Sequence, residues 1–192
     1  MYRGSAREQV VDLISEIKNK VQNIPAEQIT FFCIGTDRST GDSFGPLIGS
    51  ALYKLGYNVI GRMDDLVHAM NLDERIKEIP EGRKVIAIDS CLGRADSIGD
   101  IRFRSGPCRP GAGVGKQLTP IGDYHLIGIV NAGGFMEYFV LQNTPLHRVM
   151  NMAKSAVDAI CNAVLIPAIA EVATTNQINA GSLKRSELEE MI

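Results

Sequence analysis

Tryptophan is absent from the 192-residue chain, and aromatic residues make up only 6% of it. That argues against the stacking platforms by which proteins hold unpaired bases. Charge of either sign is not in surplus. Twenty Lys and Arg face 22 Asp and Glu, for a formal net charge of -2. No broad basic surface for nucleic acid or an anionic membrane is therefore expected. Four cysteines, Cys33, Cys91, Cys108 and Cys161, form no CxxC pair and show no zinc-ligand spacing. No metal and no cofactor is expected. No apolar run reaches the ~20 residues that cross a bilayer. The most apolar stretch, 156–172, is interrupted by Asp158, Asn162, Pro167 and Glu171. The first 15 residues contain no apolar signal-peptide core. With unpaired cysteines, this leads to an expected cytoplasmic location.

What is present is an ordinary globular composition, 45% hydrophobic and 22% charged. The length suits one sizeable core. A single domain over 1–192 is expected, with a core over about 25–172 and a polar tail over 173–192. Val10, Leu13, Ile14, Ile17 and Val21 share one helical face, with Ser5 as N-cap. Apolar runs at 29–34, 57–61, 84–88 and 125–130 read as strands, and 98–104 alternates as an extended segment. Helical patterns occupy 43–55, with Pro46 in the first turn, and 66–79, which stops at Pro80. A long amphipathic helix runs from Val149 to Val164 and ends or kinks near Pro167. The alternation of strands and helices predicts an α/β fold with parallel strands joined by right-handed crossovers.

In such a sheet the first and third strands lie side by side, and ligands bind beyond their carboxyl ends. The loop after Ile34 carries Asp42, and the strand ending at Ile88 is followed by Asp89. Two carboxyls in one crevice resist joint ionisation and can divide acid and base work between them. Taken singly, Asp42 also suits a helix N-cap and Asp89 a strand-end turn. Asp37 is a second acidic residue in the same loop. The segment PGAGVGKQ at 110–117 is not a phosphate loop, because Pro110 and Gln117 replace the glycine and Ser/Thr that motif needs. Its glycines instead let a peptide or the catalytic carboxylates approach the loop backbone. His68, His125 and His147 lie far apart in sequence, and none is identified as a ligand or catalytic base.

The segments IGTDRSTGDSFGP (34–46), AIDSCLG (87–93), PGAGVGKQL (110–118) and GIVNAGGFMEYFVLQNTPL (128–146) resemble a family of sporulation proteins. That family is similar to the germination protease, the endopeptidase that degrades small acid-soluble spore proteins. The resemblance implies a three-layer α/β/α sandwich with a mostly parallel central sheet, the fold shared with hydrogenase-maturation endopeptidases. It implies catalytic roles for Asp42, in Asp-Ser-Phe-Gly-Pro, and for Asp89, in Ile-Asp. In the maturation enzymes, acidic residues at these places and a histidine bind nickel.

The expected function is thus an aspartate-dependent endopeptidase of a spore-forming bacterium, working in the cytoplasm of the sporulating cell or spore core. Asp42 and Asp89 are the expected catalytic pair, and Asp37, Gly111, Gly113, Gly115, Asn131 and Gly133 the expected substrate-binding residues. The expected partner is a protein or peptide substrate such as small acid-soluble spore proteins, and self-association into a homo-oligomer stays open. The rivals are a non-catalytic binding protein that retains the fold and a metal-binding maturation-type endopeptidase.

Overall fold

Five consecutive buried residues, Ile29–Cys33, form strand β1. An unbroken apolar run of this kind has a core on both faces. Phe31 and Cys33 point into one apolar cluster, Phe32 into another on the opposite face. The structure, a computed structural model, describes residues 6–111 and 118–166. Around β1 it places β2 (Val59–Ile60), β3 (Lys84–Gly93), β4 (Ile101–Ser105) and β5 (Tyr124–Ala132) in the order β2-β1-β3-β5-β4. All neighbours are parallel except β4, which runs antiparallel to β5 at the edge. The chain leaves β1 toward β2 on one side and β3 toward β5 on the other. The switch point therefore falls between β1 and β3.

The larger cluster lies beneath three helices: α1 (Ala6–Val21), α2 (Phe44–Lys54) and α5 (Leu146–Ala163). Leu13, Ile17 and Val21 recur every four residues, and Val149, Met152, Ala153, Ala156, Val157 and Ile160 follow the same helical stripe. The opposite face carries a thinner cover. Its helix is the short α3 (Leu72–Ile76), joined by Cys108, Leu118 and Ile121 from the irregular chain after β4. The remaining helix, α4 (Glu137–Gln142), lies near the carboxyl ends of the strands. The α/β fold with a mostly parallel sheet flanked by helices is the one expected.

Three local expectations need correction. The helical pattern at 66–79 yields only the five residues of α3. Asn71 is the cause. Its Oδ1 accepts from His68 N–H at 2.8 Å, and its Nδ2 donates to Leu66 O at 3.0 Å. Such side-chain bonds to the local backbone compete with helix formation. Asp89 does not lie beyond β3, which continues past it to Gly93. The last pair with β1 is Cys33↔Ile88, but pairing with β5 reaches Gly93↔Ala132. Asp42 is not the N-cap of α2. It sits in a 3-10 turn, Gly41–Ser43, and the capping position is Ser43, whose hydroxyl donates instead to Thr40 O at 2.7 Å. Ser5, Pro167 and the polar tail lie outside the described residues.

Candidate active site

β1 stops where β3 does not, and the two aspartates occupy the resulting notch. Strand alternation carries Val85, Ala87 and Asp89 on one face. Val85 and Ala87 belong to the smaller apolar cluster, together with Cys108. Asp89 therefore sits at the rim of a core, partly open to solvent. Its Oδ1 accepts the Ser90 amide at 2.8 Å, and its Oδ2 lies 3.9 Å from Cys108 Sγ.

The loop after β1 brings Asp42 to the same place. Ile34 N–H donates to Ile88 O at 2.7 Å, extending the β1–β3 seam by one bond. Gly35 then turns with φ +150°, and Thr36 N–H donates to Asp42 O at 3.1 Å. Gly41 at the start of the turn packs on Leu141 of α4. The Asp42 carboxyl is partly buried, so desolvation raises its pKa. The Ser39 hydroxyl beside it acts the other way, though without a hydrogen bond of regular geometry.

Burial dominates at Asp89 and raises its pKa to about 7. The negative charge of Asp42 raises it too, while the Ser90 amide and the Cys108 thiol pull it down. The two carboxyls thus lie close enough for the charge of Asp42 to act on Asp89. Ser39 Oγ beside Asp42 and Ser90 Oγ are buried hydroxyls without a protein partner, the latter on the opposite face of β3 from Asp89. Sequence patterns did not single out either serine.

Cys91 follows Asp89 on the same strand face. Burial raises its pKa first, and the Asp89 charge adds to that, so it is a weak candidate for a thiolate nucleophile. Cys108 is raised by burial and by the same carboxylate. No imidazole joins this group. His125 Nδ1 lies 2.9 Å from Gly106 O, His68 Nδ1 accepts the Met70 amide at 3.3 Å, and His147 is exposed at the start of α5. Among the described residues, no three His, Cys, Asp or Glu side chains are arranged to hold a metal ion. The nickel set that the sequence resemblance implies, two acidic residues and a histidine, therefore lacks its histidine here.

The six residues expected to bind substrate fall in different places. Asp37 is exposed on the loop leading to Asp42. Gly111 has φ +71° and is partly buried, while Gly113 and Gly115 lie outside the described residues. Asn131 and Gly133 line a concavity of about 540 Å³ with Phe135, Met136 and Phe139. The Asn131 amide donates to Thr144 Oγ1 at 3.3 Å and lies 3.5 Å from Val140 O, which ties β5 to α4 and the turn after it. Gly133 N–H donates to Gly93 O at 2.8 Å and closes the far end of β3.

Among described residues, no helix is long and apolar enough to cross a membrane. Two solved structures are similar in fold. One is the [NiFe] hydrogenase maturation protease HybD from Thermococcus kodakarensis. It is 13% identical with a TM-score of 0.45, covering 76% of this chain and 97% of that one. The other is the [NiFe] hydrogenase maturation protease HycI from Thermococcus kodakarensis KOD1. It is 17% identical with a TM-score of 0.43, covering 70% and 92%. The uncharacterized protein YyaC of Bacillus subtilis (strain 168) is 48% identical over 156 residues, 78% of this chain and 75% of that protein. The family model described as "Protein of unknown function (DUF1256)" matches residues 2–159, and the chain belongs to that family.

Proposed function

We propose that the chain is an aspartate-dependent endopeptidase of the germination-protease type, acting on protein in the cytosol of a sporulating cell. The observation that carries this reading is the pairing of Asp42 and Asp89 at the β1–β3 switch point. Burial raises both carboxyls, Asp89 to about 7, and the Asp42 charge acts on Asp89, so the pair suits a division of acid and base work near neutral pH. The ionised partner takes a proton from water as that water attacks a peptide carbonyl. The protonated partner gives its proton to the leaving amine as the C–N bond breaks. Small acid-soluble spore proteins are the substrate that the sequence resemblance supplies.

The test is incubation of the purified protein with a small acid-soluble spore protein at pH 6 to 7, with fragments followed by mass spectrometry. Cleavage at a defined site supports the enzyme. Stable binding without fragments favours the non-catalytic rival.

A further inference from the structure

Among the described residues, the end of β3 has a strand on one side only. Hydrogen bonding in a strand alternates, each residue directing its N–H and C=O to one side. Ile88 O accepts from Ile34 on the β1 side, while Val85 O and Gly93 O accept from Asp123 and Gly133 on the β5 side. Alternation then directs Ser90 and Leu92 to the side where β1 has stopped. Ser90 N–H is held by the Asp89 carboxyl. The Ser90 carbonyl and both backbone groups of Leu92 face a side with no strand among the described residues.

The outer edge of the sheet is treated differently. β4 carries Arg102 and Arg104, paired with Asp100 and Glu16 at 2.9 and 3.2 Å. Charged side chains on an edge discourage strand addition. The end of β3, Asp89-Ser90-Cys91-Leu92-Gly93, has no Lys, Arg or Pro, and all five residues are partly exposed.

We propose that this bare end of β3 takes an extended polypeptide segment as an added strand in the position β1 vacates, which names the substrate class of the aspartate pair and rests on that reading. A strand running in the direction of β1 donates one N–H to Ser90 O and accepts at the same residue from Leu92 N–H. The complementarity is to a repeating amide backbone, which peptides supply at every second residue. At its far end the strand meets Gly133, next to Leu92, and the concavity beside it. Phe135, Met136 and Phe139 there are 90%, 52% and 51% exposed. An apolar side chain is therefore favoured at that end of the segment.

The experiment uses a soluble fluorescent decapeptide with a central phenylalanine flanked by threonine and lysine, and two isomers of it. Each isomer is N-methylated on two alternate amides, one isomer on each parity. Binding is read by anisotropy, and exchange of the Leu92 amide is read by hydrogen–deuterium exchange. The expected result is that one isomer loses affinity by about tenfold or more, the other binds within about threefold of the parent, and the parent slows exchange at Leu92. Equal loss in both isomers, unchanged exchange at Leu92, or no binding of the parent at about 1 mM overturns the proposal. Hydrolysis is followed separately. Parity-selective binding without hydrolysis keeps the added strand and removes the peptidase. Hydrolysis without parity selectivity does the reverse.

Discussion

Gly45 meets the carbonyl of Ile34 so closely that a β-carbon at position 45 would lie 2.2 Å from the oxygen. Gly35 is held in the same way, with the site of its missing β-carbon 1.9 Å from the Asp42 carbonyl oxygen. Two glycines therefore clamp the start of α2 and the turn carrying Asp42 onto the end of β1. The position of that carboxyl depends on backbone approach and not on a side-chain anchor.

Gly45→Ala is expected to destabilise the protein by about 1–3 kcal/mol through this overlap, and to lower any cleavage rate along with it. Gly82→Ala is the comparison. Position 82 has φ +77° but nothing within 4 Å, so only its backbone conformation is penalised, by about 1 kcal/mol. Urea denaturation of both variants decides. A Gly45→Ala loss no larger than that of Gly82→Ala removes the clamp.

Most of the frame was legible because burial imposes simple periods. The run at β1 and the stripe of α5 each declare one or two buried faces, and strand alternation with helices implies the parallel order that brings β1 beside β3. Position along β3 was not legible. Where a strand ends depends on which neighbour outlasts it, and Asp89 is inside β3 only because β5 accompanies it beyond Ile88. The region around Asn71 failed for a different reason. Its apolar spacing is helical, but one amide side chain captured the backbone first. The Ser39 and Ser90 hydroxyls carry no pattern at all, since their significance is the lack of a partner in three dimensions.

The cysteines should separate by exposure. Cys33, Cys108 and Cys161 are buried, and Cys91 is partly exposed. Burial raises the pKa of all four, to about 11 at Cys161 and beyond that at Cys33 and Cys108. Native labelling with iodoacetamide at pH 8 is expected to modify Cys91 first and slowly, the other three following only in denaturant. Peptide mapping that finds Cys33 labelled as fast as Cys91 contradicts the burial order.

Asp89 should make stability fall with rising pH. Its folded pKa of about 7 stands above the ordinary aspartate value of 3.8, so the native state holds the proton more tightly than the unfolded chain. The protonated form is accommodated at low pH, and the burial cost of the charge grows as pH rises between these two values. Asp89→Asn removes that cost and keeps an acceptor for the Ser90 amide. The variant is expected to match the wild type near pH 4 and to melt higher near pH 8, by about 2 °C or more. Parallel melting curves across this range would exclude the raised pKa.

The paired-aspartate reading stands or falls on Asp42→Asn and Asp89→Asn measured side by side for cleavage and for melting. Asp42 makes no capping bond to α2, so asparagine there is expected to leave the melting temperature close to the wild type. Its loss of charge should act elsewhere. Without the Asp42 carboxylate, one cause of the raised Asp89 pKa disappears, and that group should titrate lower. The two variants then fail for related reasons: each leaves one titratable carboxyl where water attack and amine departure need two. Both should lose about 100-fold or more in cleavage rate. The wild-type rate should fall above about pH 7 as the proton leaves the pair, and again at low pH as the second carboxyl fills. Wild-type cleavage by either variant ends the pair as catalyst. Lost cleavage together with a collapsed melting temperature in Asp42→Asn would instead make Asp42 a structural residue, which its lack of any capping bond argues against.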